Sequence, residues 1–207
     1  PLTALSLQAE RLADAEMSGM ARERLTVLRQ GIERGRSLLD QLLTLAKAQS
    51  ATDTPKSPVS VQGIYRRVLE DLMPLAEAKH IDIGVEGTQD ADVWVSELDM
   101  IAVVKNLVDN AIRYTPEGGR VDLSVEVSDG KAVLRIQDSG PGIPLAERDR
   151  VFDPFYRTLG SEQIGSGLGL SIVQTIAHRI GAEIRLDFVD ETQQTGLKVS
   201  VIVPMKQ

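Results

Sequence analysis

A regular apolar heptad pattern runs through the first part of the chain and constrains its fold more strongly than any other feature. Between about Ala21 and Gln49, small or apolar residues recur at intervals of three and four: Leu25, Leu28, Ile32, Gly35, Leu39, Leu42 and Ala46. This spacing places them on one stripe of a long α-helix and is typical of helices that pack in coiled-coil fashion. Residues 1 to about 13 show a shorter version of the pattern, with Leu2, Leu5, Ala9 and Leu12.

The two helical stretches are separated by a break between Asp14 and Gly19, so the sequence predicts an antiparallel helical hairpin at residues 1–50. A single hairpin cannot cover its own apolar stripe, and a four-helix bundle formed by two chains solves this problem. We therefore expect a homodimer through residues 1–49. The alternative is that the hairpin packs on a globular domain of its own chain.

Beyond the hairpin the chain changes character. Two prolines and several small polar residues predict a linker at residues 51–58, followed by a domain at residues 59–207. Its periodicities predict helices at about 59–79, 96–113 and 167–180, strands at 81–87 and 92–95, a β-hairpin at 120–140 with Asp129-Gly130 as its turn, and two final strands. Helices mixed with mostly antiparallel strands indicate an α+β sandwich.

Composition excludes several classes of function. A net charge of −7 argues against nucleic acid as the main partner, because nucleic-acid binding normally requires a basic face. The chain has no cysteine, so disulfides and thiolate metal sites are excluded. No apolar run reaches the length of about 18 residues that a membrane span requires.

Two asparagines, Asn106 and Asn110, stand one helical turn apart in an otherwise apolar helix. Amide oxygens can bind Mg²⁺, which commonly uses few protein oxygens together with substrate phosphates and water. Arg113 adds a positive charge near the same face. The pair can therefore hold a metal–phosphate group, or it can simply brace neighbouring loops.

Two glycine-rich segments are further candidates for ligand binding. In "DSGPGIP" (138–144), Asp138 ends a strand and can accept a hydrogen bond from an exocyclic amine such as that of adenine, although a plain turn is the alternative. In "GSGLGL" (165–170), glycines open a helix whose N-terminal amides suit an anion, although a hinge is the alternative. The spacing fits neither the dinucleotide-binding fingerprint nor the P-loop.

Four motifs in this order resemble the catalytic and ATP-binding domain of sensor histidine kinases, within the Bergerat-fold ATPases. They are the Asn-x-x-x-Asn helix, the Asp-x-Gly-x-Gly turn, "FDPFYR" (152–157) and Gly-x-Gly-Leu-Gly-Leu. The resemblance covers residues 59–207 and implies a Bergerat-type α/β sandwich with a mixed sheet. It extends to the hairpin, where "PLTAL" (1–5) resembles the end of a phosphoacceptor box and "LLDQLLTLAKAQ" (38–49) the end of a dimerisation helix.

The resemblance implies ATP and Mg²⁺ as cofactors. Asn110 is then the principal metal ligand, Asn106 a second metal or phosphate ligand, and Asn106 and Arg113 the catalytic residues. The remaining nucleotide contacts that it implies are Tyr114, Asp138, Gly140, Gly142, Arg157, Gly165, Gly167, Leu168, Gly169 and Leu170. Residues from about 144 to 166 would form a lid, anchored by Phe152 and Phe155.

The implied function is transfer of the ATP γ-phosphate to a histidine and then to an aspartate on the receiver domain of a response regulator. We expect the acceptor histidine upstream of Pro1, with His80 and His178 in structural or surface roles. The chain would be the cytoplasmic portion of a protein held in the bacterial inner membrane by segments outside it. Alternatives are an ATP-hydrolysing protein of the gyrase or chaperone type, in which Glu usually stands in place of Asn106, and a catalytically inactive nucleotide-binding dimer module.

Overall fold

The computed structural model describes residues 2–13, 15, 17–50, 55–156 and 166–205. The helices are α1 (Leu2–Ala13), α2 (Gly19–Ser50), α3 (Val61–Ala78), α4 (Glu97–Tyr114) and α5 (Gly169–Ile180). The strands are β1 (Ser57–Ser60), β2 (Asp82–Val85), β3 (Asp92–Val95), β4 (Arg120–Ser128), β5 (Lys131–Asp138), β6 (Glu183–Asp190) and β7 (Thr195–Pro204). The chain divides into two compact units, residues 1–44 and residues 45–207.

The first unit contains α1 and most of α2, which confirms the two predicted helices. The Ser18 side chain accepts a hydrogen bond from the amide of Ala21, so α2 begins with a capped first turn. Ala9 and Leu25 are buried, whereas Leu28 and Leu39 of the predicted stripe are 54% and 50% exposed. The bundle formed by two chains remains a prediction.

The second unit is built on a mixed five-stranded sheet in the order β2-β4-β5-β7-β6. β2 runs parallel to β4, and the other neighbours are antiparallel. Alternate residues of the central strands are buried, so one face of the sheet forms the core with apolar residues of α3, α4 and α5. This arrangement confirms the predicted α+β sandwich with a mixed sheet.

Local sequence accounts for several boundaries. Asp129 and Gly130 both adopt positive φ, of 52° and 70°, which suits the tight turn between β4 and β5. Ser96 caps α4, and Gly181, at φ 73°, ends α5 in the left-handed conformation.

Two predicted helix starts were wrong. α3 begins at Val61 rather than Val59, because residues 57–60 form β1, which pairs with β3. α5 begins at Gly169 rather than Gly167, because Gly167 has a φ of 72°, which a right-handed helix does not allow. Within the described part of the chain, every helix is too short or too polar to span a bilayer.

Candidate functional site

The asparagine pair lies on α4 against the start of α5. Asn106 and Asn110, the only asparagines of the chain, are both half-buried. A Cβ atom placed on Gly169 would lie 3.2 Å from Asn110 Nδ2 and 3.4 Å from Asn106 Oδ1. The structure thus brings Gly169 to two asparagines that precede it by about 60 positions in the sequence, and the missing side chain of Gly169 allows the close approach.

The N-terminus of α5 is suited to an anion. Its N-cap residue, Leu168, is fully buried and has no polar side-chain atom, so it supplies no hydrogen bond to the first amides of the helix. Those amides and the helix dipole favour negative charge at this end. Leu168 therefore fixes the helix start in the core, while the half-buried Leu170 follows in the first turn.

Gly167 marks the connection between this helix and the preceding segment. Its carbonyl accepts a hydrogen bond from the amide of Phe155 at 2.9 Å. A Cβ on Gly167 would lie 2.6 Å from the Phe155 carbonyl carbon, so a larger residue would push this backbone away. The glycine is thus required by a close backbone approach as well as by its positive φ.

Asp138 is buried at the end of β5, with 6% of its surface exposed. Its Oδ1 accepts hydrogen bonds from the amides of Gly140 at 2.8 Å and Leu197 at 3.3 Å. Burial raises the pKa of this carboxyl to about 6, while the two backbone donors act in the opposite direction. Among the described residues both hydrogen bonds go to Oδ1, which leaves Oδ2 for a ligand.

Glycines line both sides of Asp138. A Cβ on Gly140 would lie 2.9 Å from the carbonyl oxygen of Tyr114, so the turn after β5 packs directly on the end of α4. Gly142, at φ 75°, would place a Cβ 2.8 Å from the ring of Phe188. These contacts explain why the turn contains glycine at both positions.

Sequence reasoning missed Leu197 and Phe188, which belong to this neighbourhood. Leu197 is the register partner of Asp138 in the β5–β7 pair, and Phe188 pairs with Leu197 in the β6–β7 pair. Gly196, at φ 69° at the start of β7, was the available signal, because a glycine in a strand often marks a close backbone approach.

Arg113 lies in the last turn of α4, and its guanidinium forms an ion pair with Asp109 at 2.8 Å. Tyr114, the last residue of the helix, is half-buried. Their predicted contacts with phosphate and adenine therefore remain predictions, although both residues belong to the same helix as the asparagine pair.

The segment after Gly142 is held to β6 by Arg148. Its Nη1 donates to the Leu186 carbonyl at 2.5 Å, and its guanidinium carbon lies 4.5 Å from the centroid of the Phe188 ring. Phe152 is half-buried, whereas Phe155 is 61% exposed at a φ of 65°. Packing in the domain core therefore does not account for Phe155, and its anchoring role remains a prediction. Arg157 and Gly165 lie outside the described residues.

The two histidines lie at the surface. His80 and His178 are both exposed, and His80 Nε2 lies 3.8 Å from a Glu117 carboxylate oxygen. No group of three or more His, Cys, Asp or Glu side chains in the described residues could hold a metal ion.

Two concave surfaces accompany these features. The larger, of about 420 Å³, lies along α3 and β2 and contains none of the predicted residues. The smaller, of about 270 Å³, includes Asp138 and Gly196 together with Arg120 and Asp122. The predicted site therefore rests on the chemistry of Asp138 and of the asparagine pair rather than on the size of a cavity.

Residues 95–207 match the family model described as "Histidine kinase-, DNA gyrase B-, and HSP90-like ATPase". The chain is 36% identical over its whole length to the sensor protein kinase PmrB of Pseudomonas aeruginosa, of which it covers 43%. The chain spans less than half the length of the curated relatives it matches.

Solved structures also resemble this chain. A mycobacterial sensor histidine kinase, MprB, is similar with a TM-score of 0.64 and 33% identity, and the match covers 72% of this chain and 97% of that structure. The full-length ShkA structure in complex with AMPPNP has a TM-score of 0.76 and 26% identity, and the match covers 98% of this chain and 45% of that one.

Proposed function

The chain belongs to the histidine kinase-, DNA gyrase B- and HSP90-like ATPase family and, within it, to the sensor histidine kinases. We propose that it binds ATP with Mg²⁺ and transfers the γ-phosphate to a histidine. The observation that carries the proposal is the approach of Gly169 to Asn106 and Asn110. It aims the anion-binding end of α5 at two side chains suited to a metal–phosphate group.

The base and the phosphates would be held by different parts of the site. Asp138, when ionised, would accept a hydrogen bond from the exocyclic amine of adenine through Oδ2, while Gly140 and Gly142 allow the ring to approach the backbone. The first amides of α5 would receive the phosphates. Gly167 and Gly169 have no side chains to block them, and Arg113, which follows Asn110 by three residues on α4, would add positive charge.

The donor set fits Mg²⁺. The Asn110 and Asn106 amide oxygens would hold the ion, which would supply charge neutralisation for the transferring phosphoryl group. An amide cannot remove a proton from water at neutral pH, so Asn106 favours transfer to a strong nucleophile over hydrolysis. The alternative of a gyrase- or chaperone-type ATPase is therefore not favoured.

The proposal extends to partners. The exposed leucines of α1 and α2 support a homodimer through residues 1–49, because an apolar stripe of this length is usually covered by another helix pair. The phosphate would pass to the receiver domain of a response regulator, and the whole protein would be a membrane-anchored sensor whose cytoplasmic portion contains this chain.

Calorimetric titration with the non-hydrolysable analogue AMPPNP tests the site directly. We expect binding that strengthens with Mg²⁺, and Asn110→Ala should remove most of this Mg²⁺ dependence. The matched control is Asp71→Ala, which removes an exposed carboxylate that forms an ion pair with Lys105 at 2.9 Å. Absence of binding at millimolar nucleotide with Mg²⁺ would overturn the proposal.

A further inference from the structure

Lys79 extends from the end of α3 to the end of α4. Its Nζ donates three hydrogen bonds to backbone carbonyls, to Ile112 at 2.9 Å, Arg113 at 2.9 Å and Thr115 at 2.6 Å. The Lys79 carbonyl in turn accepts a hydrogen bond from the amide of Gly118 at 3.0 Å. One residue is therefore bonded both to the last turn of α4 and to the loop that follows it.

These carbonyls need a donor. The last C=O groups of a helix have no partner within the helix, and the negative end of the helix dipole favours a cation there. An ammonium group has three donors around a compact charge, so it can serve three converging carbonyls, which the planar guanidinium of arginine cannot match in the same geometry. Lys79 is half-buried, and this partial burial, with the charge of Arg113 as a smaller cause, lowers its pKa.

The end of α4 that Lys79 holds is part of the candidate site. The next residue after Arg113 is Tyr114, whose carbonyl oxygen packs against Gly140, and the Gly140 amide donates to Asp138 Oδ1. Asn110 lies two to five residues before the carbonyls that accept from Lys79. A shift of this helix end would therefore displace both Asp138, the proposed adenine contact, and Asn110, the proposed metal ligand.

We propose that Lys79 is a positioning residue for nucleotide binding, which sets the end of α4 so that Asp138 and Asn110 face the ligand together. This inference rests on the proposed ATP site. In this proposal Lys79 acts through the backbone of α4 and of the turn after β5 rather than by touching the ligand.

The absence of cysteine from the chain allows a direct test. Lys79→Cys is alkylated in mild denaturant and refolded, in one sample with bromoethylamine, which rebuilds a lysine-like ammonium, and in the other with iodoacetamide, which leaves a neutral amide. AMPPNP affinity with Mg²⁺ and the free energy of unfolding are then measured on both. We expect the neutral form to bind about tenfold more weakly and the ammonium form to return to within about twofold of the unaltered chain.

Lys105→Cys, treated in the same two ways, is the matched control, because the ammonium of Lys105 on α4 forms an exposed ion pair with Asp71. Its two forms should bind nucleotide equally. Equal affinity of the two Lys79→Cys forms and the unaltered chain, with only the free energy of unfolding changed, would show that Lys79 merely stabilises the fold and would overturn the inference. If the neutral form does not refold, Lys79→Arg serves instead, and an affinity equal to that of the unaltered chain overturns the inference. Failure of the unaltered chain to bind AMPPNP would instead overturn the proposed function.

Discussion

Gly169 lies so close to Asn110 that a Cβ on the glycine would be 3.2 Å from the asparagine Nδ2. This contact joins the start of α5 to the face of α4 that carries the amide pair. In the proposed site, the metal–phosphate group would therefore be bounded on one side by a residue without a side chain.

Gly169→Ala should therefore weaken AMPPNP binding on the order of tenfold, because the added methyl displaces the Asn110 amide from the ligand. The free energy of unfolding should change by less than about 1 kcal/mol, since alanine suits a helix and a side-chain amide can move aside. Calorimetry and chemical denaturation measure the two effects. Gly84→Ala, where a Cβ meets nothing within 4 Å, is the control. Unchanged affinity in the Gly169→Ala variant would contradict the assigned site.

Because the pKa of the Asp138 carboxyl is raised, we expect nucleotide binding to depend on pH. Its pKa is raised to about 6 by burial, and only the ionised carboxylate accepts through both oxygens. AMPPNP affinity should therefore fall as the pH decreases below about 6, approaching tenfold per pH unit once the carboxyl is mostly protonated. Asp138→Asn should bind more weakly at neutral pH and retain only the dependence that the nucleotide phosphates cause. Identical pH profiles for the two proteins would exclude Asp138 from the contact.

The same carboxyl affects stability with a defined sign. Because the folded pKa is raised above the ordinary value of 3.8, the folded state holds this proton more tightly than the unfolded state does. Its contribution is fully favourable below about pH 4 and is lost as the pH rises through about 6, by up to about 3 kcal/mol. Denaturant titrations of the unliganded chain and of Asp138→Asn should differ in slope across this pH range, and parallel curves would contradict the shift.

The exposed leucines of α2 predict the site of self-association. Leu39→Asp should raise the dimer dissociation constant by at least about tenfold, because it introduces a charge into an apolar helix interface. Light scattering over a concentration series measures this change. Leu98→Asp, at a leucine of α4 that is 74% exposed, should leave association unchanged. Equal dimerisation of a version starting near Ser57 would show that residues 1–49 are not the interface.

The acceptor histidine gives the last prediction. His178 is exposed and lies nine residues after Gly169 along α5, about 13 Å away by helix rise, and His80 is exposed at a turn. Incubated alone with labelled ATP, this chain should gain no acid-labile phosphate. It should label, slowly, a longer fragment that carries the predicted acceptor histidine and whose own nucleotide site is disabled by Asn110→Ala. The labelling should be slow because reaction by collision forfeits much of the advantage of holding the reactants together. Labelled phosphate on His80 or His178, located by mass spectrometry, would place the acceptor inside the chain.

The sequence alone was sufficient for features that depend on near neighbours. The heptad spacing predicted α2, the Asp129-Gly130 pair predicted the turn between β4 and β5, and the four-residue spacing of Asn106 and Asn110 predicted that they share a helix face. In each case the cause is local backbone geometry, which a few adjacent residues determine. The glycines at 140 and 142 were recognised in the same way, as places where the backbone must allow close approach.

Tertiary structure decided which of these features meet. β1 was missed because four residues form a strand only by pairing with β3, more than thirty positions later. Leu197 reaches Asp138 through the β5–β7 register, and Lys79 reaches the end of α4 because two helices pack side by side. No short-range pattern encodes such contacts, because they depend on how the whole core packs and on which backbone groups that packing leaves without partners.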